Sequence, residues 1–440
     1  MSRMLAFPLA MAAAMAMATA APLEAQAAID SLTVSYELDG LRILHRRTSS
    51  RVFAANLYLL GGARQVTKAT AGIEPFLLLS SEYGTADYPG EEARRAAART
   101  GSSITVEADE DWTTYAISGV REQFDSTWAV FTSRLLRPTL DSAAIGIVRP
   151  RMLAAARRQL SSPDVQVAVL AESLAFIGHP YALDPNGTEE SIAALTADDL
   201  RAYARDQLVK SRMLLVVVGD IPKDRLDGLV ARTIGTLPKG DYAWTMPPEV
   251  RATTPAIAAA HRKLTTNYIL GYIHGPQISS PDHPAFEYAM MILGNFVSSV
   301  IREREGLSYA ADVPMMQRGV SGAAIFVSTA RPDTVVKLIN SIFDWYEDDV
   351  RIPGSTLRRV AESFKTSYLL GMETAASHAD MLARAQLYQG DYRAAARRAE
   401  VMAKVRFSDI RRIIKTYGTN IQYAFVGDSA RMPRTQMMKR

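Results

Sequence analysis

The sequence contains no cysteine. That absence removes disulfides, thiolate metal ligands, a cysteine nucleophile and lipid attachment through an N-terminal cysteine. Histidine is scarce. The six are His45, His179, His261, His274, His283 and His378, and no two stand three or four residues apart. No single helix therefore presents a pair of imidazoles to a metal ion. A dominant charge sign is missing as well: 50 basic residues face 46 acidic ones, and no basic stripe interleaves with aromatics. Nucleic acid is not an expected partner. Beyond the N-terminal stretch no run reads as apolar for long enough to cross a bilayer. Phosphate loops, dinucleotide fingerprints and a nucleophile elbow are also absent from any credible context.

What is present is a chain of 440 residues, 48% hydrophobic and 22% charged. This is ordinary globular composition, with length for two or three domains. Arg3 precedes an apolar run from Met4 to Ala21, and Ala25-Gln26-Ala27 follows as a small-x-small cleavage pattern. Residues 1–27 read as a bacterial secretory signal peptide, which implies a periplasmic or secreted protein. A short membrane anchor is the alternative. Against it stand Pro8 and the want of a stop-transfer pattern.

Two segments rhyme. "DDLRAYARDQLVKSRMLLVVVGDIP" from Asp198 and "SDIRRIIKTYGTNIQYAFVGDSA" from Ser408 each read as a helix, then a buried strand ending in Val-Gly-Asp. Their glycines, Gly219 and Gly427, lie 208 positions apart, about half the mature chain. The expectation is two homologous domains in tandem, 28–236 and 257–440, joined by a proline-bearing linker at 237–256. Within each half, strand runs and helix runs do not alternate regularly. This predicts an α+β fold, an antiparallel-rich mixed sheet with helices on one face. "GLRILHRR" and "VFAANLYLLGG" read as an antiparallel pair near the N-terminus. "SSITVEADEDWTTYAISGV" alternates as strands do.

The stretch "AGIEPFLLLSSEYGTADYP", Ala71 to Pro89, has the frame of a site helix without chemistry on it. Its Gly72, Phe76, Gly84-Thr85 and Tyr88-Pro89 resemble the surroundings of the inverted zinc motif His-x-x-Glu-His in the pitrilysin/insulinase-like (M16) metallopeptidases. The likeness is to the short two-domain branch and covers the mature chain. "SSITVEADEDWTTY" keeps that family's Asp111, Thr113 and Tyr115, with Thr105 and Val106 in place of Asn-Ala. "HPYALDPNGTEESI" (His179 to Ile192) matches closely. The resemblance puts Pro75 and Leu79 on the two histidines, Leu78 on the catalytic glutamate and Ala155 on the third ligand, with Val148 on the first glutamate of that helix. None of these side chains offers a donor to zinc or a base to its water. No metal ligand and no catalytic residue is therefore expected on this chain.

In the second half "VIREREGLSYAADV" resembles the family's C-terminal Arg-Glu-x-x-Gly-Leu-x-Tyr signature, although the segment before it is shorter. Arg302 and Tyr309 fall on the Arg and Tyr that reach substrate in active members. A guanidinium forks onto a carbonyl, and a phenol stabilises a developing oxyanion. The resemblance implies a non-catalytic subunit of a heterodimeric zinc metallopeptidase. Arg302 and Tyr309 would bind substrate, zinc would sit on a homologous partner subunit, and the substrate would be a peptide or unfolded protein. The alternative is a stand-alone peptide-binding or scaffold pseudoenzyme.

Overall fold

The computed structural model describes residues 32–347 and 354–440. The signal-peptide reading, residues 1–27, lies outside them. Among the described residues twelve strands form two sheets. The first holds β1 (Thr33–Leu38), β2 (Leu41–Arg47), β3 (Val52–Leu60), β4 (Ser103–Ala108), β5 (Trp112–Val120) and β6 (Met213–Gly219), in the order β1-β2-β6-β3-β5-β4. The second holds β7 (Ala256–His261), β8 (Asn267–Gln277), β9 (Ala311–Asp312), β10 (Met315–Met316), β11 (Val320–Thr329) and β12 (Gln422–Gly427), in the order β10-β11-β8-β12-β7, with β9 also on β11.

The repeat is visible in the pairing. β2 runs parallel to β6, which is antiparallel to β3, which is antiparallel to β5. β7, β12, β8 and β11 repeat that sequence of senses. The two Val-Gly-Asp segments close the equivalent strands β6 and β12. A Cβ at Gly219 would lie 2.8 Å from Phe53 Cβ, and one at Gly427 would lie 2.3 Å from Asn267 Oδ1. Glycine is thus required where the neighbouring strand starts.

One expected pairing is different. β2 and β3 are not neighbours, because β6 lies between them. Every residue of β6 is buried. A strand with no polar face belongs in the middle of a sheet.

The helices that bear on the site are labelled in chain order: α1 (Ile73–Ser80), α2 (Ser142–Ser161), α3 (Pro163–Ala175), α4 (Ala197–Gln207), α5 (His283–Val297), α6 (Ala375–Gln389) and α7 (Ala394–Ala403). Each sheet is covered on one face by helices of its own half, forming the two largest cores. The opposite faces are covered by exchange. α3 leaves the first half to pack on β8 and β12, with Val167 and Ala171 against Leu270, Ala424 and Val426. α6 does the reverse on β3 and β6, with Leu382 and Ala383 against Leu44, Tyr58 and Val216.

The span 237–255 carries neither helix nor strand, yet it is pinned. Trp244 Nε1 donates to Leu387 O at 2.8 Å, Arg64 lies 4.7 Å over the Trp244 ring, and Gln277 Nε2 donates to Pro247 O at 2.9 Å. His283–Arg304 is long and apolar enough for a membrane span by composition alone. Its Phe286, Leu293, Val297 and Ile301 are core residues of the second half.

Candidate functional site

Helix α1 starts at Ile73, so Pro75 falls in its first turn, where a missing N–H breaks no helical bond. Gly72 caps it at φ 87°, and a Cβ there would sit 2.9 Å from Asn186 O. Gly187 returns the contact: its own Cβ would lie 2.9 Å from Gly72 Cα. The Gly72 and "PNGTEES" segments therefore interlock through two glycines. Asn186 Nδ2 ties the same loop to Ala108 O at 3.1 Å, at the end of β4. Thr188 caps the next helix through Ser191, and its capping box is complete.

After α1, the Thr85 N–H donates to Tyr88 O and the Tyr88 N–H to Thr85 Oγ1, each at 3.0 Å. Ser133 Oγ donates to Asp87 Oδ2 at 2.6 Å and lies 2.8 Å from Thr85 Oγ1, whose hydroxyl can donate to it. The surviving frame residues are those that fold and clasp this helix.

The positions that the resemblance assigns to zinc chemistry are occupied by packing side chains or lie exposed. Leu78 is 1% exposed, inside the first-half core with Phe76 and Leu77, and Leu79 packs half-buried against the same core. Ala155 is exposed on α2, while Ala156 faces the core. Side chains of Pro, Leu and Ala hold no nitrogen or oxygen donor, so these residues do not fit a zinc ion. Among the described residues no group of three or more His, Asp and Glu is placed to hold a metal.

Glu74, which no motif singled out, is the one charge on α1. It is buried beside Arg212, with Arg212 Nη2 2.9 Å from Glu74 Oε1 and Tyr203 Oη donating to the same oxygen at 3.1 Å. Arg212 Nε also donates to Leu60 O at 2.6 Å. The pair ties α1 to α4 and to β3 ahead of β6.

β4 is an edge strand of the first sheet, as β1 is at the other side. It pairs with β5 alone, and Ser103, Thr105 and Glu107 are exposed along it. Such an edge presents unpaired N–H and C=O groups to an added strand. At its end lies a cavity of about 370 Å³ lined by Asp109, Glu110, Glu172 and Asp184. A second, of about 230 Å³, shares Asp109, Glu110 and Glu172 and adds Arg318, Arg384 and Tyr388. Arg318 pairs with Glu110 and with Glu172, the latter at 3.1 Å, and lies 4.7 Å over the Phe176 ring. Burial, with Glu107 and Glu110 adding, pushes the Asp109 carboxyl up to about 6. Burial also raises Glu172, although Arg318 opposes it.

Tyr181 and Asp111 meet here. Tyr181 Oη donates to Asp111 Oδ1 at 2.7 Å. Asp111 Oδ2 accepts from Tyr388 Oη at 2.8 Å and from the Gly319 N–H at 2.7 Å. These residues join the halves. The sequence reading did not select Glu110, Glu172 or Arg318, since isolated charges carry no spacing signal.

Arg302 lies in a π-helical segment, Ser298–Arg304, that continues α5. The segment ends with the Glu305 N–H on Val300 O at 3.1 Å. The wider turn re-aims the side chains after the shortened stretch. Arg302 is exposed and Tyr309 is 96% exposed. No hydrogen bond, ion pair or ring contact joins the two side chains. Each faces solvent, without contact to the Asp111 network.

Residues 194–348 match the family model described as the Peptidase M16 inactive domain. Subunit 1 of the human mitochondrial cytochrome b-c1 complex is 22% identical over 267 residues, 59% of this chain and 54% of that protein. The chain spans about half the length of the curated relatives it matches. In fold the likeness is broader. A peptidase M16 inactive domain from Pseudomonas fluorescens superposes with a TM-score of 0.82 at 16% identity, over 91% of this chain and 99% of that one. A protease from Helicobacter pylori gives 0.81 at 18%, over 90% and 99%.

The fold is the pitrilysin-like one of these structures, and residues 194–348 are similar to the M16 inactive domain. The family match begins after α1, whose Pro75, Leu78 and Leu79 carry no donor for a metal.

Proposed function

We propose that the chain is the non-catalytic subunit of an exported, heterodimeric M16-type zinc metallopeptidase. The observation that carries this is α1. Its capping glycine, its clasp and its loop partners are retained, while Leu78 fills the core where the family's base would stand. A scaffold kept without its chemistry suits a protein whose partner supplies the chemistry. The partner in this reading is a homologous M16 subunit bearing His-x-x-Glu-His and the zinc. The match to a subunit of a mitochondrial complex is in keeping with such assembly.

The roles follow from the exposed features. β4 takes a peptide or unfolded chain by strand addition. Arg302 and Tyr309, both free for a partner, reach the zinc site on the other subunit and hold the substrate carbonyl there. The division at 237–256 into two M16-like domains and a periplasmic or secreted location, reached through residues 1–27, belong to the same reading.

A tagged pull-down from the native host, with partner identification and a zinc assay on the eluate, tests it. The expected eluate holds a stoichiometric M16 partner and about one zinc per pair. A chain that elutes alone and metal-free overturns the subunit reading. It would favour a stand-alone peptide binder, for which the open β4 edge alone suffices.

A further inference from the structure

A cavity of about 440 Å³ lies in the second half, between the start of α5 and the α6–α7 junction. One wall is the N-terminus of the 15-residue helix α5. Asp282, at the capping position, makes no side-chain cap and instead takes both guanidinium nitrogens of Arg412, at 2.9 and 2.7 Å. The positive end of this helix is thus left without a side-chain cap.

A second observation points the same way. His283, at the first position of α5, lines the cavity and is 2% exposed, and its Nε2 has no hydrogen-bond partner among the described residues. Burial, with Arg398 adding, holds this ring down to about 3, so it is neutral and offers one N–H. A buried polar nitrogen without a partner is destabilising, and with the proton on Nε2 an acceptor placed in the cavity would relieve it.

Two arginines stand on the wall, each paired with one carboxylate: Arg397 Nη2 lies 2.5 Å from Asp391 Oδ2, and Arg398 Nη2 lies 2.7 Å from Glu287 Oε2. Arg397 is half exposed at the mouth, and the N–H groups of its planar fork beyond the one on Asp391 can meet a second carboxylate. The remaining wall mixes Ile278, Pro284 and Met402 with Ser279, Ser280 and Gln389, and Val401 is exposed at the mouth.

We propose that this cavity binds a carboxylate carrying a short apolar group. The ligand is a free organic acid or the C-terminus of a peptide. The carboxylate meets the helix N-terminus and Arg397 at the mouth, and the apolar group lies on Val401. A cavity of this size accommodates a few residues or a small acid. Tyr388 lines the same cavity and donates to Asp111, so an occupant touches the joint between the halves.

Calorimetric titration of the mature chain tests this, with four probes: N-acetyl-leucine, the tripeptide Ala-Ala-Leu as the free acid, the same tripeptide amidated, and inorganic phosphate. The free acids are expected to bind at least roughly tenfold more tightly than the amide or phosphate, the worth of one charged hydrogen bond. Equal binding of the two acids assigns the site to a free acid, and a tighter tripeptide assigns it to a peptide terminus. Arg397→Gln, at an exposed side chain, is expected to weaken the acids by roughly tenfold with an unchanged melting temperature. Val401→Glu, which sets a negative charge at the mouth, is expected to do the same. Equal binding of acid and amide, phosphate binding as tight as the acids, or acid binding indifferent to Arg397→Gln would overturn the proposal.

Discussion

The backbone N–H of Gly319, in the second half, donates to Asp111 Oδ2, in the first, at 2.7 Å. Asp111 is 1% exposed, and its remaining acceptor sites take Tyr181 and Tyr388. Replacing Asp111 by Ala leaves two phenols and an N–H unpaired across the joint. The expected loss is about 3 kcal/mol or more in urea denaturation. A loss below about 1 kcal/mol would show that the exchanged helices α3 and α6 hold the halves together without this network.

How far this was legible in the sequence depended on what the motifs recorded. The Val-Gly-Asp endings revealed the repeat, because a glycine is forced where two strands approach. The Gly72 frame disclosed α1, because its capping and turn residues are local. The exchange of α3 and α6 left no local trace: "VQVAVLAESLAFIG" reads as a helix whichever sheet it covers. Nor did Asp111 announce its partners, since Tyr181, Gly319 and Tyr388 come from three distant segments. β2 and β3 were paired on proximity in sequence, which cannot foresee a fully apolar strand inserted from much later in the chain.

The Glu74–Arg212 pair offers a test of how α1 is held. Arg212→Met removes the cation and leaves Glu74 buried beside Tyr203. Breaking such a pair costs about 3–5 kcal/mol, because an uncompensated charge remains. Arg212→Met combined with Glu74→Leu removes both charges and is expected to recover most of that loss. A double-mutant cycle in urea reads the difference. Purely additive losses would mean that the two side chains act separately.

His274 gives a pH dependence of definite sign. Burial, then the nearby Arg318, pushes its ring down to about 4, and neither ring nitrogen has a hydrogen-bond partner among the described residues. The unfolded ring takes a proton near pH 6.5. Its contribution is complete above that value and is lost as pH falls toward 4, by up to about 3 kcal/mol. In His274→Phe this loss is expected to vanish, so the gap in melting temperature between pH 7.5 and pH 5 narrows. An unchanged gap would assign the acid sensitivity to other groups.

Asp109 works in the opposite sense. With its folded carboxyl at about 6, it favours folding at low pH, and that contribution is lost as pH rises through 6. At pH 7.5 the ionised group opposes folding by about 1–2 kcal/mol after allowance for partial exposure. Asp109→Asn is therefore expected to raise stability at pH 7.5 and to change it little at pH 4. Thermal melts at both values decide this, and destabilisation at pH 7.5 would contradict it.

Arg302 and Tyr309 allow the subunit reading to be separated from folding. Both side chains are exposed and make no contact that stabilises the chain, so Arg302→Ala and Tyr309→Phe should each change stability by no more than about 0.5 kcal/mol. If the chain serves a zinc-bearing partner, the same changes lower kcat/KM of the reconstituted pair by about 100-fold, the range for a lost transition-state donor. The pH of zinc binding on the partner should not move. Exposure is what makes the comparison clean: a fall in activity cannot come from a misfolded chain whose melting is unchanged. Activity that survives both changes would remove Arg302 and Tyr309 from the site. It would leave β4 as the contribution of this chain to substrate binding.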